Sequence, residues 1–455
     1  MPTKSSSSPG SVLLNFRASN YRSFRDEFEF SLLASRVAES EVVREVEWNS
    51  SGSKVSVLPA AILYGANASG KSNLLKALSF MRHVVLGSFR HGTEASSLPH
   101  HPYVLSDKSK KAPSRFEIEL VLDGVRHLYG FTSDSTAVRE ETWYWWPNGR
   151  RTMLLERDGD SVSLGTSNRS KSASAVGEIL RDNALYLSTA AALGHPLAND
   201  LFAWFTRNLM LAEQDSRASR QIRTVELLQD EEGKRKVLDL IRAADLGIVD
   251  AETNPPDPEL LERFNTFLRE FLGEKVVRDS ESELREEMLS TVRLHHESDD
   301  GVVVIDAESE SLGTHVWLGL VGPLLDALEN GAVFLADELD SSLHPSLVRE
   351  VVRLFQNPKS NPNRAQLIAN SHDVSLLDIA EDGTRLLGRD QCWIAEKGSN
   401  GVSRLYPLTD FDPRKEESIA RRYLKGRYGG LPIVSSAEFT DSVRKALQTK
   451  KTASK

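Results

Sequence analysis

A chain of 455 residues has room for about three domains of average size, and its 40% hydrophobic and 27% charged residues exclude wholesale disorder, a collagen-like repeat and a long coiled coil. A formal charge of −9 argues against non-specific coating of nucleic acid, although it is compatible with a local basic groove. Cys392 is the sole cysteine, which excludes an intramolecular disulfide and a cysteine-rich zinc site and points to the cytoplasm.

The opening MPTKSSSSPG is polar where a secretory signal needs an apolar stretch, so residues 1–11 read as a disordered leader. From Val12 the run VLLNFRAS is apolar and β-branched up to Asn20, a strand and a turn, and residues 28–33 alternate as its partner strand. Residues 58–64 form a short apolar strand, followed by a helical pattern over 71–86 and by a loop over 90–113, rich in His, Ser, Lys and Pro, that reads as mobile. Strand-like runs starting at Phe116, His127, Glu141 and Met153 are separated by Asp-Gly and Asn-Gly, the mark of hairpins in an antiparallel sheet. Residues 12–200 therefore read as an N-terminal lobe. The pattern over 201–289 turns helical and charged without a sustained heptad, a compact helical insertion broken by NPPDP. A second lobe, 290–435, alternates strands (291–295, 302–305, 333–336, 365–370, 392–396) with a helix over 314–328 in α/β order. A helix and basic tail, 436–455, close the chain. The longest apolar stretch, 315–328, is interrupted by Gly319, Gly322 and Pro323 and falls short of the ~20 residues that a membrane span needs. No internal repeat is present.

Between the strand at 58–64 and the helix after it lies GANASGKS, residues 65–72, which fits G-x-x-x-x-G-K-[ST]. Such a loop must wrap phosphates closely, aiming the N–H groups of residues such as Gly65, Ser69 and Gly70 and a helix start at anionic oxygens. Lys71 reaches the β- and γ-phosphates and Ser72 ligates Mg²⁺ in this reading. Asn67 either orients the attacking water or bonds the phosphates, and Asn73 contacts the nucleotide or caps the helix. In AVFLADELDSSLHP, residues 332–345, an apolar strand delivers Asp337 for the Mg²⁺ shell and Glu338 to polarise water. No N-K-x-D tetrapeptide occurs, so ATP is the expected nucleotide.

The loop GxNxSGKSN, the strand end DELDxSLHP and the later NSHD resemble the ABC-type ATPase heads of the SMC, RecF and OLD group, and within it the match is closest to the bacterial anti-phage ATPases of the RloA and AbiL type. NYRSF (20–24), RFEIEL (115–120), ESLGT (310–314) and RRYLKGRYGGLP (421–432) look like further landmarks of the same heads. The resemblance implies an α/β fold, an ABC-type P-loop head with an N-terminal antiparallel β-subdomain and a helical insertion. It implies that Ser311, Gly313 and Thr314 form a signature motif meeting the γ-phosphate bound by the opposite subunit. A hydroxyl, an N–H and a helix start suit that task, and they equally suit a plain helix N-cap. His372 looks like the switch histidine that senses the γ-phosphate, while Gln214 is a poor candidate for the glutamine that couples metal to lobe motion. The implied protein is an ATP-hydrolysing sensor in abortive-infection defence, a homo-oligomer with ATP sandwiched between heads, controlling a separate nuclease-like effector. The alternative is a RecF-like repair ATPase that binds DNA directly.

Three further constellations are weaker. Glu396 with Asp410 and Asp412 resembles the acidic set of a TOPRIM nuclease, but the stretch after His372 is too short for that domain and reads as a loop and a closing strand. His295 and His296 have no third metal ligand at suitable spacing. The basic, aromatic segment 421–432 divides between packing on the head and binding a partner.

Overall fold

A computed structural model of the chain describes residues 11–38, 42–49, 52–90, 97–169, 171–212, 217–259, 261–264, 266, 290–379, 384–414, 417–432 and 435–452. In chain order, strands β1 (Val12–Ser19), β2 (Phe28–Ser31), β3 (Arg44–Glu47), β4 (Lys54–Val57) and β5 (Ala60–Tyr64) precede helices α1 (Lys71–Gly87) and α2 (Asp107–Lys111). Five strands follow, β6 (Ser114–Leu122), β7 (Val125–Ser133), β8 (Val138–Trp145), β9 (Thr152–Asp158) and β10 (Ser161–Leu164). Next come α3 (Lys171–Ile179), α4 (Tyr186–Ala192), α5 (Pro196–Arg207), β11 (Leu209–Ala212), α6 (Arg217–Leu228), α7 (Glu231–Ala243) and β12 (Ile248–Asn254). The rest comprises β13 (Thr291–Ser298), β14 (Gly301–Asp306), α8 (Leu312–Asn330), β15 (Val333–Ala336), α9 (Pro345–Gln356), β16 (Gln366–Asn370), β17 (Cys392–Lys397), β18 (Ser403–Pro407), α10 (Ile419–Leu424) and α11 (Ser436–Thr452).

At the centre is a six-stranded sheet in the order β11-β15-β16-β5-β17-β18, parallel from β11 through β17 and closed by antiparallel β18. β5, β15 and β16 are buried at every position, as strands covered on both faces must be. Their period-2 alternation sorts side chains into two cores. Ala60, Ile62, Tyr64 and Phe334 face a core shared with α6 to α9, whereas Ala61, Leu63, Val333 and Leu335 face a core shared with α1, α5 and the antiparallel sheet. That second sheet, β10-β9-β8-β7-β6-β1-β2, contributes Phe16, Phe116 and Trp143. Each such buried large apolar side chain contributes about 1.5–3 kcal/mol, so the two layers are clamped on β5 and its neighbours. A third sheet, β12-β13-β14, and a ribbon, β3-β4, complete the strand pairing.

The α/β core and the antiparallel N-terminal sheet agree with expectation. The insertion does not read through as helix, because β11 joins the central sheet beside β15 and β12 pairs with β13. Four apolar residues, LMLA, carry no periodicity that separates strand from helix, and here the partner strand decides. Residues 265 and 267–289 of the insertion, Gln214, the leader 1–10 and the loop residues 91–96 lie outside the described residues. The remainder of the loop expected to be mobile is tied down: Tyr103 is buried, its hydroxyl donates to Asn400 O at 2.7 Å, and its N–H donates to Asn20 Oδ1 at 3.1 Å. Among the described residues no helix is long and apolar enough to cross a membrane.

Candidate functional site

β5 ends at Tyr64 and the chain turns through residues 65–70 into α1, with positive φ at Gly65 (154°), Ala68 (61°) and Gly70 (114°). A Cβ at Gly65 would lie 2.3 Å from the Ala395 carbonyl oxygen, and one at Gly70 would lie 2.6 Å from Ser403 Oγ, so neither position admits a side chain. The loop is gripped from behind, with Ser403 Oγ 2.6 Å from Ser69 O and 2.7 Å from Ser23 Oγ. Asn73 donates its amide to Ser23 Oγ at 2.7 Å, which ties the first turn of α1 to the NYRSF turn. Among the described residues no side chain caps α1 and none is a hydrogen-bond partner to the buried hydroxyl of Ser69. First-turn N–H groups and a spare hydroxyl facing one space make a ready anion site.

Lys71 is buried, and its ammonium donates to Gly65 O at 2.8 Å and Ala66 O at 3.0 Å. Burial lowers its pKa, while Glu338, Asp337 and Asp340 pull it upward. β15, held between β11 and β16, stops at Ala336 and delivers Asp337, whose Oδ1 accepts from Ser72 Oγ at 2.8 Å. A hydroxyl beside a carboxylate is an oxygen donor set suited to a small hard cation that keeps most of its other ligands from water and phosphate. Glu338 follows, exposed and at φ 52°. His372 is exposed as well, and its backbone N–H donates to Asp340 Oδ2 at 3.0 Å. A cleft of about 330 Å³ is lined by residues 67–73 together with Glu338, Asn370, His372 and Lys397.

The structure thus brings Asn67, Ser69, Gly70, Lys71, Ser72, Asn73, Glu338 and His372 to one cleft, with Asp337 directly bonded to Ser72 and Gly65 at the base of the loop. Ser311, Gly313 and Thr314 do not line it. Ser311 caps α8, its hydroxyl accepting the Thr314 N–H at 3.2 Å, and Gly313 lies where a Cβ would be 2.9 Å from the Ser342 carbonyl oxygen. Glu310, the first residue of that motif, sits 2.9 Å from His296 Nε2.

Asn370, Asp340 and Lys397 also belong to this neighbourhood; sequence reasoning gave none of them a role, although Asp340 and Asn370 fall within the DELDxSLHP and NSHD landmarks. The available signal for Asn370 is a polar residue ending the otherwise apolar interior of QLIAN, just before His372. Elsewhere, Glu396 accepts from Tyr406 OH at 3.3 Å. His295 faces Glu252 at 3.7 Å. No group of three or more metal-binding side chains occurs among the described residues. The segment 421–432 packs on the phosphate loop: a Cβ at Gly430 would be 2.7 Å from Ile394 Cγ2 and 3.4 Å from Gly65 Cα, and Tyr423 OH donates to Gly430 O at 3.3 Å.

Residues 60–378 match a family described as "AAA domain, putative AbiEii toxin, Type IV TA system". Among solved structures the chain is similar to an Smc head bound to the C-winged helix domain of ScpA, at 13% identity over 87% of this chain and 96% of that one, with a TM-score of 0.39. It is similar to an Smc head domain with an extended coiled coil bound to the C-terminal domain of ScpA from Pyrococcus furiosus (12% identity, 92% and 99% covered, TM-score 0.36). It is also similar to the recombination mediator RecF with ATP (12% identity, 89% and 100% covered, TM-score 0.34). No curated protein matches the chain.

Proposed function

This chain belongs to that AAA-domain family, and from this premise we propose that it binds ATP with Mg²⁺, hydrolyses it to ADP and phosphate, and works as a nucleotide-driven switch. The observation that carries the reading is the Ser72 to Asp337 bond at 2.8 Å, with Lys71, Glu338 and His372 around the same cleft. The loop N–H groups and the start of α1 hold the phosphates, and Lys71 places a cation against their outer oxygens. Ser72 and Asp337 hold Mg²⁺, which when bound supplies positive charge to the phosphate oxygens. Glu338 accepts the proton of the attacking water, and His372 and Asn67 hold the terminal phosphate and that water in line. The test is Glu338→Gln, expected to bind ATP normally and to hydrolyse it at least about 100-fold more slowly. Undiminished hydrolysis would overturn the assignment of the base, and a wild-type chain unable to bind nucleotide would overturn the reading as a whole.

Residues 12–200 and 290–435 serve as two lobes of one ABC-type head, with the 201–289 insertion between them. Ser311, Gly313 and Thr314 complete the cleft of a second copy, so that ATP joins two heads and its hydrolysis parts them. Membership of a family of putative AbiEii toxins supports a place in anti-phage defence of the abortive-infection kind, and the cytoplasm is the compartment we propose for it. A separate nuclease-like effector supplies the damage. Capture of tagged Glu338→Gln from its native host with ATP and Mg²⁺ tests this: a stoichiometric second protein supports the effector, whereas DNA alone transfers the reading to direct DNA binding.

A further inference from the structure

We infer that Asn370 is the positioning residue of this site, setting where Asp337 holds its carboxylate and how Glu338 enters the cleft; the inference rests on the nucleotide reading above. Asn370 ends β16 in register with Leu63 of β5 and is fully buried. Its carboxamide meets three groups from two segments of the chain, the start of α1 and the end of β15. The amide nitrogen donates to Asp337 Oδ1 and, at 3.4 Å, to Ser72 Oγ, while the amide oxygen accepts the backbone N–H of Glu338. A backbone tie adds to these, the Leu339 N–H donating to Asn370 O at 3.1 Å.

The site needs both ends of that amide. A carboxylate oxygen requires a donor and a peptide N–H requires an acceptor, and a short side chain offering one of each from a common plane is asparagine. An aspartate would turn a second anion on Asp337, and a leucine would leave the carboxylate and the Glu338 N–H facing apolar atoms. Glu338 stands at φ 52°, a left-handed conformation that a residue with a Cβ holds only when its surroundings impose it. Asn370 supplies that restraint through the Glu338 N–H, and so fixes the direction in which the Glu338 side chain leaves the backbone. Ser72, Asp337 and Glu338 are therefore held in mutual register by one uncharged side chain set beneath them.

The consequence is a separation of effects. Gripping of the phosphates by residues 65–72 is independent of Asn370, whereas cation binding at Ser72 and Asp337 and base action by Glu338 depend on it. The experiment uses the purified full chain and its Asn370→Leu and Asn370→Ala variants, each checked for folding by thermal unfolding, with a fluorescent ATP analogue as probe. Affinity without Mg²⁺ is expected to stay within about threefold of wild type. The Mg²⁺ concentration that half-saturates the enhancement of binding should rise about tenfold or more, and kcat should fall about tenfold to a hundredfold with KM little changed. At Mg²⁺ concentrations that saturate every variant, only the action of Asn370 through Glu338 remains, so adding Asn370→Leu to Glu338→Gln should slow hydrolysis no further, whereas independent effects would multiply. Wild-type Mg²⁺ dependence and kcat in both Asn370 variants, or multiplication in the double variant, would overturn the inference. A wild-type chain that binds no nucleotide would instead remove the reading on which it rests.

Discussion

At the scale of single residues, the clearest consequence of burial lies in the antiparallel sheet. His127 is only 4% exposed, and its Nδ1 accepts the indole N–H of Trp143 at 3.1 Å. Burial pushes its pKa down to about 4, against about 6.5 for a free histidine. The unfolded chain therefore takes up a proton first as the pH falls, and the folded chain must stay neutral to keep its acceptor. Stability is complete above about pH 6.5 and is lost progressively towards pH 4, by up to about 3 kcal/mol. His127→Asn keeps a short acceptor for Trp143 and cannot titrate, so its unfolding temperature should fall less between pH 7 and pH 5 than that of the wild type. Equal falls would show that another group governs the acid limb. Residues of this kind are hard to foresee, because a lone histidine in HLYGF is indistinguishable from a surface one until the strand pairing is known. Lys71, Ser72, Asp337 and Glu338 were legible as a group because the loop and the strand end that carry them have recognisable sequence patterns, and the structure brings them together. Asn370 was not, since its partners come from positions 72, 337 and 338, which only the parallel pairing of β16 with β5 and β15 brings together.

At the scale of elements, the sharpest packing is between α6 and α8. Gly322 and Pro323 sit inside α8, where proline removes an N–H and crowds the preceding turn. The hydroxyl of Thr224 enters the helix at this point, accepting the Gly322 N–H at 3.0 Å and donating to Leu318 O at 2.5 Å. Gly322 makes this approach feasible, since a Cβ there would lie 2.6 Å from Thr224 N. Thr224→Val preserves shape but leaves a buried donor and a buried acceptor facing a methyl group, and should cost about 2–3 kcal/mol in urea unfolding with an unchanged m-value. Adding Pro323→Ala should recover part of that loss by letting the helix close its own ladder. A cost below about 0.5 kcal/mol for Thr224→Val would mean that the hydroxyl is not what holds the two helices. Sequence reading found α8 as a helix in spite of its glycines and proline, because the apolar pattern dominates, yet nothing local announced that α6 would repair it. For the same reason β5, β15 and β16 were readable as continuous apolar runs, whereas β11 and β12, set next to helices, became strands by virtue of the edges they met.

At the scale of the whole molecule, the order of motifs was legible, but a single chain places Lys71 and Ser311 in different neighbourhoods. Ser311 caps α8 and lies outside the cleft that Lys71 lines. If ATP is bound between two heads, each site takes its phosphate loop from one copy and its Ser311 from the other, and two differently damaged copies should repair each other. Lys71→Ala removes the loop's cation and leaves Ser311 intact. Ser311→Asp keeps the N-cap, since aspartate caps as well as serine, yet sets a carboxylate against the terminal phosphate. Each variant alone should hydrolyse ATP at background rates. In an equimolar mixture about half of random pairs are mixed, and one of the two sites in each is wholly intact, so about a quarter of wild-type activity should return. Two-fold symmetry makes that number a geometric prediction, independent of how fast the chemistry is. Omitting ATP during mixing should delay the recovery if nucleotide joins the heads. Activity that stays at background in the mixture, with both variants folded, would mean that each cleft is completed within its own chain, and the signature role of Ser311 would fall while the roles of Lys71 and Glu338 would stand.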